Sequence, residues 1–97
     1  MKPNFDLNNK VAVITGGGGA LGGCIAQSLS QSGVKIAILD LTEESAKRTV
    51  DTIKKEGGTA IGFAANVLSE ESIGAISKEI LKQWGRVDIL LNAAGGN

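Results

Sequence analysis

Six glycines fall within eight consecutive positions, in the order Gly16-Gly17-Gly18-Gly19-Ala20-Leu21-Gly22-Gly23. No regular element favours that density, because glycine gives up more backbone freedom on folding than any other residue. The cluster therefore reads as a built turn, and its neighbours say what it joins. Before it stands Lys10-Val-Ala-Val-Ile-Thr15, a β-branched, nearly all-apolar run that suits a strand buried on both faces of a parallel sheet. After it Leu21, Ile25 and Leu29 recur at helical spacing, and Gly33 stops the helix.

The same alternation continues along the chain. Val34 to Leu39 reads as a second strand closing on Asp40. Thr42 is a good N-cap, with Glu43 and Glu44 in the first turn, for a helix marked by Ala46, Val50 and Ile53 and ended at Gly57-Gly58. Thr59 to Ala65 is a third strand, weakened by Gly62. Ser69 caps a third helix whose stripe is Ile73, Ile76, Ile80, Leu81 and Trp84, and Gly85 closes it. Val87 to Leu91 is the fourth strand, leading into Asn92-Ala-Ala-Gly-Gly-Asn97. This βαβαβαβ order predicts an α/β chain with right-handed crossovers, a doubly wound parallel sheet of the Rossmann type with strand order 3-2-1-4. Its first two helices lie on one face and the third on the other. Ligands of such sheets sit where the strand order reverses, between strands 1 and 4.

Composition removes several alternatives. Ninety-seven residues make one domain at most. Ten acidic and ten basic residues cancel without a basic cluster, which argues against nucleic acid or an anionic membrane as partner. Met1 to Lys10 is polar and no apolar run approaches the ~20 residues of a membrane span, so a cytoplasmic protein is expected. With no histidine and one cysteine, Cys24, the chain has no internal disulfide, little to build a zinc site from and no histidine-dependent nucleophile.

Gly17, Gly19 and Gly22 satisfy G-x-G-x-x-G between a predicted strand and a predicted helix. The spacing lets backbone turn sharply, approach a pyrophosphate without Cβ atoms in the way, and offer free N–H groups at a helix N-terminus. Asp40 ends strand 2, 18 residues beyond Gly22. Its carboxylate can accept from both ribose hydroxyls of an adenosine. It would repel a 2′-phosphate by about 1 kcal/mol or more at ~4 Å, and no nearby lysine or arginine in the sequence offsets that. NAD is therefore expected over NADP. Asn92-Ala93-Ala94-Gly95, past strand 4, would leave room for a cofactor lying over the strand ends.

Thr15-Gly16-x-x-x-Ala20-Leu21-Gly22, Asp40, Asn66-Val67 and Asn92-Ala93-Ala94-Gly95 resemble the short-chain dehydrogenase/reductase family, in register across essentially the whole chain. Gly85-Arg86-Val87-Asp88-Ile89-Leu90-Leu91 also resembles that family's lead into its fourth strand. The resemblance implies an NAD(P)-dependent oxidoreductase that moves hydride between nicotinamide and a carbonyl or alcohol substrate. It implies that Gly16, Gly18, Gly19, Ala20 and Leu21 line the pyrophosphate and ribose. Asp40, with Leu41 beside it, would select NAD, and Asn66 and Val67 would flank the adenine. Asn92, Ala93 and Ala94 would stand near the ribose on the nicotinamide side. Three positions depart from the family pattern: Ala20 replaces a glycine, Asn66 an aspartate and Ala93 an asparagine. The glycine string together with Asn92 to Asn97 further resembles the branch that reduces sugar acids of the fructuronate/mannonate type.

Members of that family work with a Tyr-x-x-x-Lys pair and a serine, downstream of strand 4. This chain has no tyrosine, so these 97 residues alone are expected to be inactive. They read as the N-terminal dinucleotide-binding part, 1–97, of a single Rossmann domain in a longer enzyme, which by analogy is a homo-oligomer. Two other readings stay open: a nucleotide-binding module without chemistry of its own, and a methyltransferase-like fold, which would bind S-adenosylmethionine in place of NAD. Cys24 and Trp84 read as packing residues, and the charges at Lys47-Arg48 and Lys54-Lys55-Glu56 as a solvated helix face.

Overall fold

The computed structural model describes residues 7–66 and 69–93. Seven elements alternate: β1 (Val11–Thr15), α1 (Ala20–Gln31), β2 (Lys35–Asp40), α2 (Glu43–Lys55), β3 (Ala60–Ala64), α3 (Glu70–Trp84) and β4 (Ile89–Asn92). The four strands form one parallel sheet in the order β3-β2-β1-β4. That is the topology expected from the alternation.

Local chemistry sets the boundaries. The Thr42 hydroxyl accepts from the Ser45 amide at 3.1 Å and opens α2. The Ser69 hydroxyl accepts from the Ser72 amide at 3.2 Å and opens α3. Each satisfies a helix amide that has no partner within the helix. Gly33, Gly57 and Gly85 all have left-handed φ just past their helices, where a side chain would be strained. β4 begins two residues later than the apolar run implied, because pairing with β1 starts only at Ala12 against Ile89.

The strands alternate between two cores. Ala12, Ile14, Ile36 and Ile38 face α1 and α2 and pack with Ala26, Val50 and Ile53. Val11, Val13, Ala37 and Leu39 face α3 and pack with Ile76 and Ile80. Burying one such aliphatic side chain contributes about 1.5–3 kcal/mol, so the central pair β1–β2, buried on both faces, anchors the sheet. The α3 side is less completely covered. An apolar trough of about 350 Å³ remains there, lined by Leu39, Ile80, Val87 and Leu90 among others.

Three packing expectations are corrected. Leu21 is 67% exposed and Leu81 49% exposed. The inward face of α1 is carried by Gly22, Gly23 and Ala26, which bring the helix too close for a leucine. Leu81 points past the edge of the α3 core into the trough. Cys24 is exposed, not packed.

One carboxylate ties β4 to β1. Asp88 Oδ2 accepts the Val11 amide at 2.9 Å, and Arg86 grips both carboxylate oxygens at 2.8 Å. The Arg86 hydrogen bond, then the Val11 amide, hold the Asp88 carboxyl below its ordinary value, with Lys10 adding a small pull in the same direction. A carboxyl whose pKa is lower folded than unfolded stabilises the fold above the unfolded pKa. That contribution is lost as pH falls through the folded value. Melting temperature measured from neutral pH down through the carboxylate range should therefore show an acid limb that Asp88→Asn flattens. Parallel curves for the two proteins would rule this linkage out.

Candidate functional site

The C-terminal ends of the strands come together at one sheet edge. Thr15 is in register with Leu39 on one side and Asn92 on the other, and Asp40 with Ala64 beyond. The glycine turn sits on this edge. Gly16 takes φ +70°, a left-handed conformation that explains glycine there. Its amide donates to Leu39 O at 2.7 Å, and the Gly19 amide returns to Gly16 O at 3.1 Å. Helix α1 then crosses so near that a Cβ on Gly22 would strike Gly16 O.

The start of α1 is chemically open. Its N-cap is Gly19, which supplies no side-chain acceptor to the first turn. The other two α-helices both receive a hydroxyl cap, so the absence of one is local to this turn. First-turn amides offered without a cap, at the positive end of a helix dipole, fit an anionic group. Ala20 begins the helix and is exposed, so its methyl group does not close the turn. Leu21 and Leu41 are both largely exposed apolar side chains beside this edge, at 67% and 73%.

Asp40 does more than the sequence implied. Its Oδ2 accepts the Gly18 amide at 2.9 Å and the Ser45 hydroxyl at 3.3 Å, and its Oδ1 accepts the Leu41 amide at 2.8 Å. It enters no ion pair among the described residues. An ionised carboxylate has about four acceptor positions, so capacity remains for a further donor. Gly18 packs against this cluster, and a Cβ there would meet Asp40 Oδ2 at 2.5 Å.

The remaining expected residues divide. Asn92 ends β4, and its Oδ1 accepts the Thr15 hydroxyl at 2.8 Å, so it braces the end of β1. The Ala93 amide donates to Thr15 O at 2.9 Å. Asn66 is exposed just past β3, after Ala65, whose amide donates to Asp40 O at 2.7 Å. Val67 and Ala94 lie outside the described residues.

Three residues of α2 join the site beyond those the motifs point to. The Thr49 hydroxyl donates to Gly17 O at 2.7 Å across 32 residues, from a side chain that is 6% exposed. Ser45 reaches Asp40. Arg48 helps line a groove of about 570 Å³ between α1 and α2, together with Gly18, Gly19, Ala20 and Thr49. The signal for Thr49 was present: a hydroxyl on the apolar stripe Ala46, Val50 and Ile53 needs a partner. Among the described residues, no group of three or more His, Cys, Asp or Glu side chains is arranged to hold a metal ion. No helix there is long and apolar enough to cross a membrane.

Known proteins resemble this chain in sequence and fold. The short chain dehydrogenase family model matches residues 10–97. The uncharacterised Bacillus subtilis oxidoreductase UxuB is 46% identical over 92 residues, covering 95% of this chain and 33% of that protein. The 7α-hydroxysteroid dehydrogenase of Escherichia coli is 34% identical, with 96% and 36% covered. Among solved structures, a candidate D-mannonate oxidoreductase from Haemophilus influenzae with bound NAD superposes with a TM-score of 0.90 at 40% identity, over 95% of this chain and 33% of that one. The chain thus spans about a third of the length of these relatives.

Proposed function

The chain belongs to the short-chain dehydrogenase family, and on that premise we propose that it is the dinucleotide-holding part of an NAD-dependent oxidoreductase acting on a carbonyl or alcohol. The observation that carries this reading is one juxtaposition. An uncapped helix N-terminus opens from a glycine turn whose Gly18 amide is bonded to the carboxylate ending β2. The turn and first helical turn, Gly16 and Gly18 to Leu21, would hold the pyrophosphate and its riboses. Asp40 would take the adenosine ribose hydroxyls, with Leu41 and Asn66-Val67 beside the adenine. Asn92 to Ala94 would stand on the nicotinamide side. When bound, the nicotinamide supplies the hydride donor or acceptor.

The proton-transfer residues of the reaction lie, in this reading, outside these 97 residues, which contain no tyrosine. In this reading the chain is part of one longer Rossmann domain, and the whole protein is a homo-oligomer by family resemblance. A sugar-acid substrate is the narrower reading, favoured by the 40% identity to the candidate D-mannonate oxidoreductase.

Cofactor choice follows from charge. A 2′-phosphate brought to about 4 Å from Asp40 is opposed by about 1 kcal/mol in water and by about 4 kcal/mol at the lower dielectric of a protein surface. Arg48, in the adjoining groove, works in the opposite direction. Calorimetric titration of the whole protein should show NAD binding at least about tenfold tighter than NADP, the equivalent of about 1.4 kcal/mol. Equal affinities would remove the selective role of Asp40. No binding of either would remove the oxidoreductase reading.

A further inference from the structure

The Gly17–Gly18 peptide is gripped at both ends. Its carbonyl oxygen accepts the Thr49 hydroxyl at 2.7 Å, and its amide donates to Asp40 Oδ2 at 2.9 Å. Asp40 Oδ2 is itself held by the Ser45 hydroxyl. A trans peptide is planar, with C=O and N–H pointing in opposite directions, so fixing both groups fixes the orientation of the whole unit. The grip has something to resist. Glycine on both sides of a peptide leaves its φ and ψ nearly unrestricted, and a reversed peptide would set its carbonyl oxygen against the Asp40 carboxylate that now accepts the Gly18 N–H.

Ser45 and Thr49 are four residues apart on α2, hence on one face of the helix. Thr49 is buried between Gly17 and Gly23, where a Cβ on Gly23 would come within 3.3 Å of its hydroxyl. Among the described residues, every buried side-chain polar atom has a partner, and Gly17 O is the partner of Thr49. Valine would match its shape and lose the bond.

We propose that Thr49 and Ser45 are positioning residues for the cofactor turn, a latch from α2 that fixes the orientation of the Gly17–Gly18 peptide and with it the shape of the dinucleotide cradle. The proposal rests on the NAD-binding reading above. The two hydroxyls divide the work. Thr49 holds the turn itself and so affects any cofactor that uses it. Ser45 acts through Asp40 and so affects the choice between cofactors.

The test combines NAD and NADP titration of the whole protein with amide hydrogen exchange at Gly18 in the unliganded protein. Thr49→Val should weaken NAD and NADP alike by about tenfold, the loss of one hydrogen bond, and should speed Gly18 exchange. Thr49→Ser, which keeps the hydroxyl, should restore both. Ser45→Ala should lower NAD affinity more than NADP affinity, reducing selectivity by about threefold, a fraction of a charge-assisted bond. A Thr49→Val protein with a lower melting temperature but unchanged affinities and unchanged Gly18 exchange would make Thr49 a packing residue and overturn the latch. If the wild-type protein bound neither nucleotide, the functional reading would fall. Exchange at Gly18 would then decide the latch alone, upheld by a rise in Thr49→Val that Thr49→Ser lacks, and overturned by no rise.

Discussion

Gly22→Ala should destabilise the protein and cripple nucleotide binding, although alanine is the better helix former. The change gains about 1 kcal/mol of helix propensity. Against it, overpacking a closed site costs about 1–3 kcal/mol even where neighbouring side chains can move aside. Here the neighbours cannot. The new methyl carbon would fall on Gly16 O and lie 2.9 Å from Gly17 Cα, both backbone atoms of the turn. Relief requires α1 to lift from the turn, which spoils the alignment of its first amides. The upper end of the cost applies, for a net loss of about 2 kcal/mol and a fall in NAD affinity of at least about tenfold. Gly74→Ala is the matching control. It also lies inside a helix, α3, but nothing stands within 4 Å of its Cβ position. That variant should gain about 0.5–1 kcal/mol. Thermal unfolding of the two variants beside wild type gives the answer. A Gly22→Ala protein as stable as wild type would show that the helix is free to shift, and that close approach is not the reason for glycine at this position.

Contacts near in sequence are legible from residue type and spacing, and contacts distant in sequence are not. The caps at Thr42 and Ser69 and the left-handed stops at Gly33, Gly57 and Gly85 rest on backbone groups a few residues away, so residue type alone identifies them. The sheet order follows from alternation and crossover handedness, which leave few topologies. The Thr49–Gly17 bond joins residues 32 apart. The stripe Ala46, Val50 and Ile53 has position 49 beside it, but periodicity does not say which carbonyl a hydroxyl there meets. Leu21 fits the helical spacing of Ile25 and Leu29, yet the buried positions of α1 are Gly22, Gly23 and Ala26, and only Ile25 and Leu29 of the stripe pack against the core. A helix that approaches a backbone turn closely must use residues that hydropathy does not score. Asp40 shows a further limit. A ribose acceptor and a structural acceptor look alike in sequence, and this carboxylate already serves the second role.

That double role shapes what replacing Asp40 should do. Two hydrogen bonds from ribose hydroxyls to a carboxylate are together worth about 3 kcal/mol or more, and the turn that Asp40 holds is loosened as well, so Asp40→Ala should weaken NAD by at least about 100-fold and up to about 1,000-fold. NADP responds to two opposed changes. Losing the carboxylate removes the repulsion of the 2′-phosphate, a gain of about 1–4 kcal/mol. It also frees the Gly18 amide and the Ser45 hydroxyl, loosening the turn that both cofactors share at a cost of about 1 kcal/mol. The sums leave NADP affinity unchanged or improved by up to about 100-fold, so selectivity for NAD is lost or reversed. Asp40→Asn separates the roles. Its amide oxygen can still accept the Gly18 amide, and its neutral side chain no longer repels phosphate, so NADP should gain more in this variant than in Asp40→Ala. Titration of both nucleotides against the three proteins reads the ratio directly. If Asp40→Ala weakened NAD and NADP equally, Asp40 would act only by holding the turn, and selectivity would have to come from elsewhere in the cradle. If Asp40→Asn kept the wild-type ratio, charge would not be the source of the preference, and hydrogen-bond geometry at the ribose would have to carry it.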